Sequence, residues 1–203
     1  MTITNGYISA DELSEWLQIT DYHDDLDRVI NSTSRSIDRF CGRYFYQDSA
    51  VSAHEFDGGG TVLRVRDIST ATGLVVKTVT TDGTTFSTTW AAGDYRLEPY
   101  AGIVDGLTGF PYTHIIGVDR TFPYGTRPQV QVTAKWGWAA VPDAVAQACL
   151  IKAARVFKRR NTPHGINTGE FGAIRITNQQ DPDVTDLLAP YRLAGSGAGL
   201  VVG

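Results

Sequence analysis

Apolar residues recur along this chain in two rhythms, and the switch between them divides it. The first rhythm is helical. Ser9-Ala10-Asp11-Glu12 reads as a capping box, a serine with glutamate three residues later. Leu13, Trp16 and Leu17 follow at helical spacing as an apolar stripe. After the acidic turn Asp21-Tyr22-His23-Asp24-Asp25, residues Leu26, Ile30, Thr33, Ile37 and Phe40 recur in steps of four, three, four and three. That spacing predicts one buried face of a long helix, with Gly42 placed to cap its C-terminus.

From about His54 to Trp136 the period drops to two. Leu63 and Val65 alternate with Arg64 and Arg66. Val130, Val132, Ala134 and Trp136 alternate with Gln129, Gln131, Thr133 and Lys135. Asp82-Gly83 between two β-branched runs predicts a hairpin. Six or seven short strands of this kind predict a small antiparallel sandwich or barrel.

Helical spacing then returns. Pro142 is expected at the first helical position, and Val145, Cys149, Lys152, Val156 and Phe157 with neighbouring alanines form a narrow face. Gly172-Ala-Ile-Arg-Ile-Thr177 predicts a short strand. Asp181 caps and Pro182 opens a last helix, with Val184, Leu187 and Leu188 as its apolar face and Pro190 ending it. The Gly-rich tail, 195–203, cannot fold alone. The expected class is α+β: a four-helix core, an inserted antiparallel β-sandwich or barrel-like block, and a flexible C-terminal tail. The expected divisions are N-terminal helices at 1–50, an inserted β domain at 51–137, C-terminal helices at 138–194, and the tail.

Charge adds an asymmetry. The net charge is −4, yet residues 1–27 hold seven acids and no Lys or Arg, while 144–169 hold five bases and no acid. Such a chain could pack head to tail with copies of itself or dock on a charged partner. Equally, acids near helix N-termini and bases near C-termini suit the helix dipole. Both readings stand. The length of 203 residues suits one good-sized domain or a small domain with an insertion, and 42% hydrophobic with 20% charged residues suits a folded one. The apolar runs are too short for a transmembrane helix, and the N-terminal residues carry no secretory pattern. Cys41 and Cys149 fall on helix faces and are expected as buried free thiols.

Candidate chemistry is sparse. His23, Asp24, Asp25 and Asp27 are possible metal or acid–base groups, but no second ligand group has matching spacing. His54-Glu55-Phe56-Asp57 precedes Gly58-Gly59-Gly60, and a strand follows, so a turn is expected and not a phosphate loop. His114 and His164 have no evident partner, and all four histidines are read as surface or turn residues. The basic stretch Phe157-Lys158-Arg159-Arg160 runs into a loop with Gly165, Gly169 and Gly172. A phosphate loop places its glycines before a helix, whereas these follow one. No catalytic residue, metal site or cofactor is expected, and no enzyme. An alternative reading is a binding module. In it Trp90, Tyr95, Tyr100, Tyr112, Phe122 and Tyr124 of the β block would stack on a carbohydrate or host surface.

The order of the pieces points further. It comprises ISADELSEWLQI with its acidic turn, INSTSRSIDRFCGRYFY, VQVTAKWGWAAVPDAVAQACLIKAARVFKRR, TPHGINTGEFGAIRI and DPDVTDLLAPYRL. In this order they resemble the head–tail connector (adaptor, head-completion) proteins of long-tailed double-stranded DNA bacteriophages. The resemblance covers both helical parts, and the Trp-Gly-Trp then Val-Pro-Asp passage is its most specific piece. It implies a structural ring, usually dodecameric, in the virion neck, assembled in the host cytoplasm. The implied partners are further copies, the portal protein and a head–tail stopper or tail-terminator protein, with non-specific contact to DNA in the channel and no membrane. Portal binding would fall on Asp181, Pro182, Val184, Leu187, Leu188, Tyr191, Arg192 and Leu193, with Leu200 and Val201 beyond. Lys152, Arg155, Lys158, Arg159 and Arg160 would then form a basic cluster facing a neighbouring subunit or the DNA channel. Asp11, Glu12, Glu15, Asp24, Asp25 and Asp27 would form the acidic cluster between subunits.

Overall fold

The computed structural model describes residues 2–20, 24–80, 85–159, 166–169, 172–175 and 181–193, with 166–169 and 172–175 described by backbone. The acidic turn at 21–23, the Asp82-Gly83 turn, the loop 160–165 and the tail 195–203 lie outside the described residues. The chain forms two compact units, Met1–Tyr44 with Val141–Gly203, and Phe45–Ala140.

The first unit is helical. Helix α1, Ala10–Leu17, opens on the capping box read from the sequence. The Glu12 N–H donates to Ser9 Oγ at 3.2 Å, and the Ser9 N–H donates to Glu12 Oε2 at 2.6 Å. Leu13 is fully buried, but Trp16 is 51% exposed, contrary to the expected stripe. Ala10 and Leu13 fill the buried flank, and in so short a helix the flank carrying Trp16 is left uncovered. Helix α2, Asp24–Cys41, buries Leu26, Ile30, Thr33, Ser34, Ile37 and Cys41. Phe40 is only partly buried. Gly42 ends the helix with φ +72°, a conformation that favours glycine, and its N–H donates to the Asp38 carbonyl at 2.8 Å.

Helix α3 spans Asp143–Arg159. Pro142 sits just before it, not at its first position, and its carbonyl accepts from the N–H groups of Val145 and Ala146 at 2.9 and 3.0 Å. The buried face is Val145, Ala148, Cys149, Ala153, Ala154 and Phe157, so small residues let neighbouring helices approach closely. Val156 is not on that face and is 40% exposed, a correction to the expected set. Helix α4, Pro182–Leu188, is capped by Asp181, whose carboxylate accepts from the Asp183 N–H at 3.1 Å. It buries Val184 and Leu188 and runs into a 3-10 turn, Ala189–Tyr191, at Pro190. α3 packs against α1, α2 and α4.

The second unit is β. Its strands are β1 Ser52–Phe56, β2 Val62–Ile68, β3 Val75–Val79, β4 Phe86–Thr89, β5 Tyr95–Glu98, β6 Tyr112–Gly117 and β7 Val130–Ala134. They form two antiparallel sheets, ordered β1-β7-β3-β4 and β2-β6-β5. The period-two pattern decides which side faces inward: Leu63, Val65 and Ile68 of β2 meet Val76, Val130, Val132 and Ala134 in one core. Each large side chain buried this fully contributes roughly 1.5–3 kcal/mol. Trp136 is fully buried, and its indole N–H donates to the Ser52 carbonyl at 2.9 Å. Gly137 follows with φ +94° and donates its N–H to the Asp67 carbonyl at 2.7 Å. Trp138 then packs between Phe45 and Phe110, ring centres 5.2 Å away on each side, and donates to Asp67 Oδ2 at 3.1 Å. Gln47 bridges Gly137, so the chain enters and leaves this unit as adjacent antiparallel segments. This is the geometry of an insertion.

Two further strands, β8 Ile166–Gly169 and β9 Gly172–Arg175, pair antiparallel with Ile166 opposite Arg175 and Gly169 opposite Gly172. Only the second was expected, so part of the supposed loop after α3 is a β-hairpin.

Candidate functional site

Among the described residues no group of three or more His, Cys, Asp and Glu is arranged to hold a metal ion. His54 and His114 lie within strands β1 and β6 and are half-buried, not turn residues. The His54 ring meets Trp136 edge-on at 5.0 Å, and His114 Nδ1 lies 3.0 Å from Thr113 Oγ1. Gly58 to Gly60 connect β1 to β2. His23 and His164 are outside the described residues. No described helix is long and apolar enough to cross a membrane. The candidate surfaces are therefore those of charge and exposed apolar groups.

The acidic set separates into two kinds. Asp11, Glu12 and Glu15 are exposed along α1. Glu12 also serves the cap, and the Ser9 N–H hydrogen bond, then the Ser9 hydroxyl, hold its carboxyl below the usual range. Asp24, Asp25 and Asp27 occupy the first turn of α2, where the helix dipole favours them. Asp24 is exposed, but Asp27 is only 4% exposed and offers little to a partner in this conformation.

The basic set is also mixed. Arg155, Lys158 and Arg159 are exposed on the last turns of α3, and Arg160 lies outside the described residues. Lys152 turns inward, its ammonium donating to Ser36 Oγ at 2.7 Å, and burial lowers its pKa. Arg155 reaches Asp181 at 2.5 Å, tying α3 to the cap of α4.

The C-terminal segment packs on its own unit. Val184 and Leu188 are buried, Asp181, Leu187, Tyr191 and Leu193 are partly covered, and Pro182 and Arg192 are exposed. The Leu193 N–H donates to the Cys41 carbonyl at 2.9 Å, and the Arg192 guanidinium lies over the Phe40 ring at 4.6 Å. Leu200 and Val201 lie outside the described residues.

The aromatic set of the β unit does not form one platform. Trp90 and Phe122 are buried and stacked at 4.5 Å, with the Trp90 indole donating to Thr78 Oγ1 at 3.3 Å. Tyr95 and Tyr112 pack against the core. Tyr100 and Tyr124 are 85% and 81% exposed. Among the residues that sequence reasoning misplaced are Trp16, Val156 and the buried Asp27. Trp16 shares its helix flank with the acids Asp11, Glu12 and Glu15, and that spacing was the available signal.

No family model matches the chain, and no curated protein matches it. Solved structures do. One is a chain in the neck of an empty gene transfer agent particle computed with C6 symmetry, 18% identical, covering 96% of this chain and 93% of that one, with TM-score 0.55. A second is in the neck of the native particle computed with C12 symmetry, 17% identical, with the same coverage and TM-score 0.55. A third comes from the virion of the native particle, 18% identical with TM-score 0.56. The likeness shows a shared fold.

Proposed function

We propose that this chain is a structural head–tail connector: a subunit of a ring in the neck of a phage or phage-like particle. The ring docks under the portal and extends the DNA channel toward the stopper or tail. The observation that carries this reading is the fold likeness to chains from particle necks, which spans 96% of this chain and takes in both its helical and its β unit. The ordered helical segments and the Trp136-Gly137-Trp138 passage, read independently from the sequence, support it. The reading includes a dodecameric ring of copies, the portal and a stopper or tail-terminator protein as partners, and assembly in the host cytoplasm. It involves no catalysis and no cofactor. A channel through which DNA must slide gains nothing from tight phosphate binding, since each neutralised phosphate adds affinity. Gold labelling of a tagged chain in intact particles checks the reading. Label at the head–tail junction is expected, and label on capsid faces or tail fibres overturns it.

A further inference from the structure

We propose that two exposed helix faces, one on α1 and one at the end of α3, are the two halves of a head-to-tail contact between copies of this chain. On α1, Asp11, Glu12, Glu15 and Trp16 follow three- and four-residue spacings, and all four are exposed. The helix ADELSEWL holds no base. Trp16 keeps 51% of its surface in solvent at the edge of these acids. At the end of α3, Arg155, Val156, Lys158 and Arg159 are exposed, and the helix holds no acid after Asp143. Val156 keeps 40% of its surface in solvent among these bases.

Each face therefore sets an apolar residue beside exposed charges of one sign: Asp11, Glu12 and Glu15 on α1, and Lys158 and Arg159 on α3, where Arg155 is already paired with Asp181. That is how protein interfaces are built: an apolar centre excludes water and a polar rim sets the partner. Tryptophan is among the residues that most often anchor such contacts. Opposite signs decide the partner. Either face meeting itself would place like charges together, so a symmetric pair through one face is disfavoured. The acidic face meeting the basic face of another copy satisfies both. Such a contact is heterologous, and it closes into a ring when the rotation per subunit permits. This deepens the connector reading by naming the contact that joins subunits, although the charge pattern stands without it.

Sedimentation velocity of the full chain tests the proposal, with circular dichroism confirming that each variant is folded. The unaltered chain is expected to associate as concentration rises, and less so at high salt. Trp16→Glu and Val156→Asp are each expected to weaken association by roughly thirtyfold or more. Mixed in equal amounts, these two variants retain one intact α1 face and one intact α3 face between them, so dimers and nothing larger are expected. Glu15→Arg and Arg159→Glu should each weaken association, and together should restore it. A wild-type chain that stays monomeric at every concentration overturns the proposal. So do single variants that assemble as well as wild type, or an Arg159→Glu chain that loses only its retention of duplex DNA. Rings that form normally despite these changes would remove this contact and leave the connector reading standing. A chain missing from the particle neck would do the reverse.

Discussion

Burial sets the chemistry of the two thiols more than any neighbour does. Cys41 and Cys149 are free and buried, and desolvation pushes both thiols up from the ordinary value of 9.0 to about 11. In the unfolded chain these thiols ionise near their ordinary value, while the folded chain keeps its protons. Their contribution to stability is therefore complete below pH 9 and is lost as pH rises from 9 toward 11. Denaturant melts across that range should show stability falling with pH, and Cys→Ser at either position should flatten the slope. Native chain at pH 8 should also react with a disulfide reagent far more slowly than unfolded chain. Reaction of both thiols at the unfolded rate would contradict the burial argument. Both positions were legible in the sequence because they fall on helical apolar stripes. Trp16, Val156 and Asp27 were not, since periodicity gives the direction of a buried face but not its width. Which flank a neighbouring helix covers is decided by tertiary packing.

At the scale of elements, local chemistry fixed the ends more firmly than the faces. The Ser9 cap, the Gly42 stop and the Asp181-Pro182 start were all readable, because each satisfies backbone groups that a helix terminus leaves unpaired. The α4 start also carries a tertiary tie, through Arg155. Asp181→Ala removes both the cap and the ion pair and should destabilise α4 by about 1–2 kcal/mol. Arg155→Ala removes only the pair. With the Arg155 side chain 55% exposed, solvent screening should hold that loss to roughly 1 kcal/mol or less. Hydrogen exchange of the 183–188 amides checks the order: faster in Asp181→Ala than in Arg155→Ala, and an inverted order would show that the ion pair dominates. β8 was missed for a physical reason as well. Ile-Asn-Thr-Gly offers no apolar alternation in the sequence, and what defines the strand is its backbone pairing with β9.

For the whole molecule, the change from helical to alternating periodicity was enough to give the α+β class, because the two units bury their apolar residues by different geometry. Bridging of Gln47 to Gly137 means that excising the β unit leaves ends close enough for a short linker. Replacing 45–140 with a flexible linker should leave the four helices folded, with a cooperative thermal melt followed by circular dichroism. Loss of helical signal would show that the helical unit depends on the inserted one. The charge asymmetry was readable from the sequence as a contact between copies, but that Trp16 and Val156 stand exposed beside those charges emerged only once the covered faces were known. The central claim, that the chain forms a connector ring, is tested most directly by cryo-EM of purified chain mixed with the portal ring of the same particle. The account predicts a second ring of this chain seated beneath the portal and coaxial with its channel. Monomeric chain beside unchanged portal rings would contradict it.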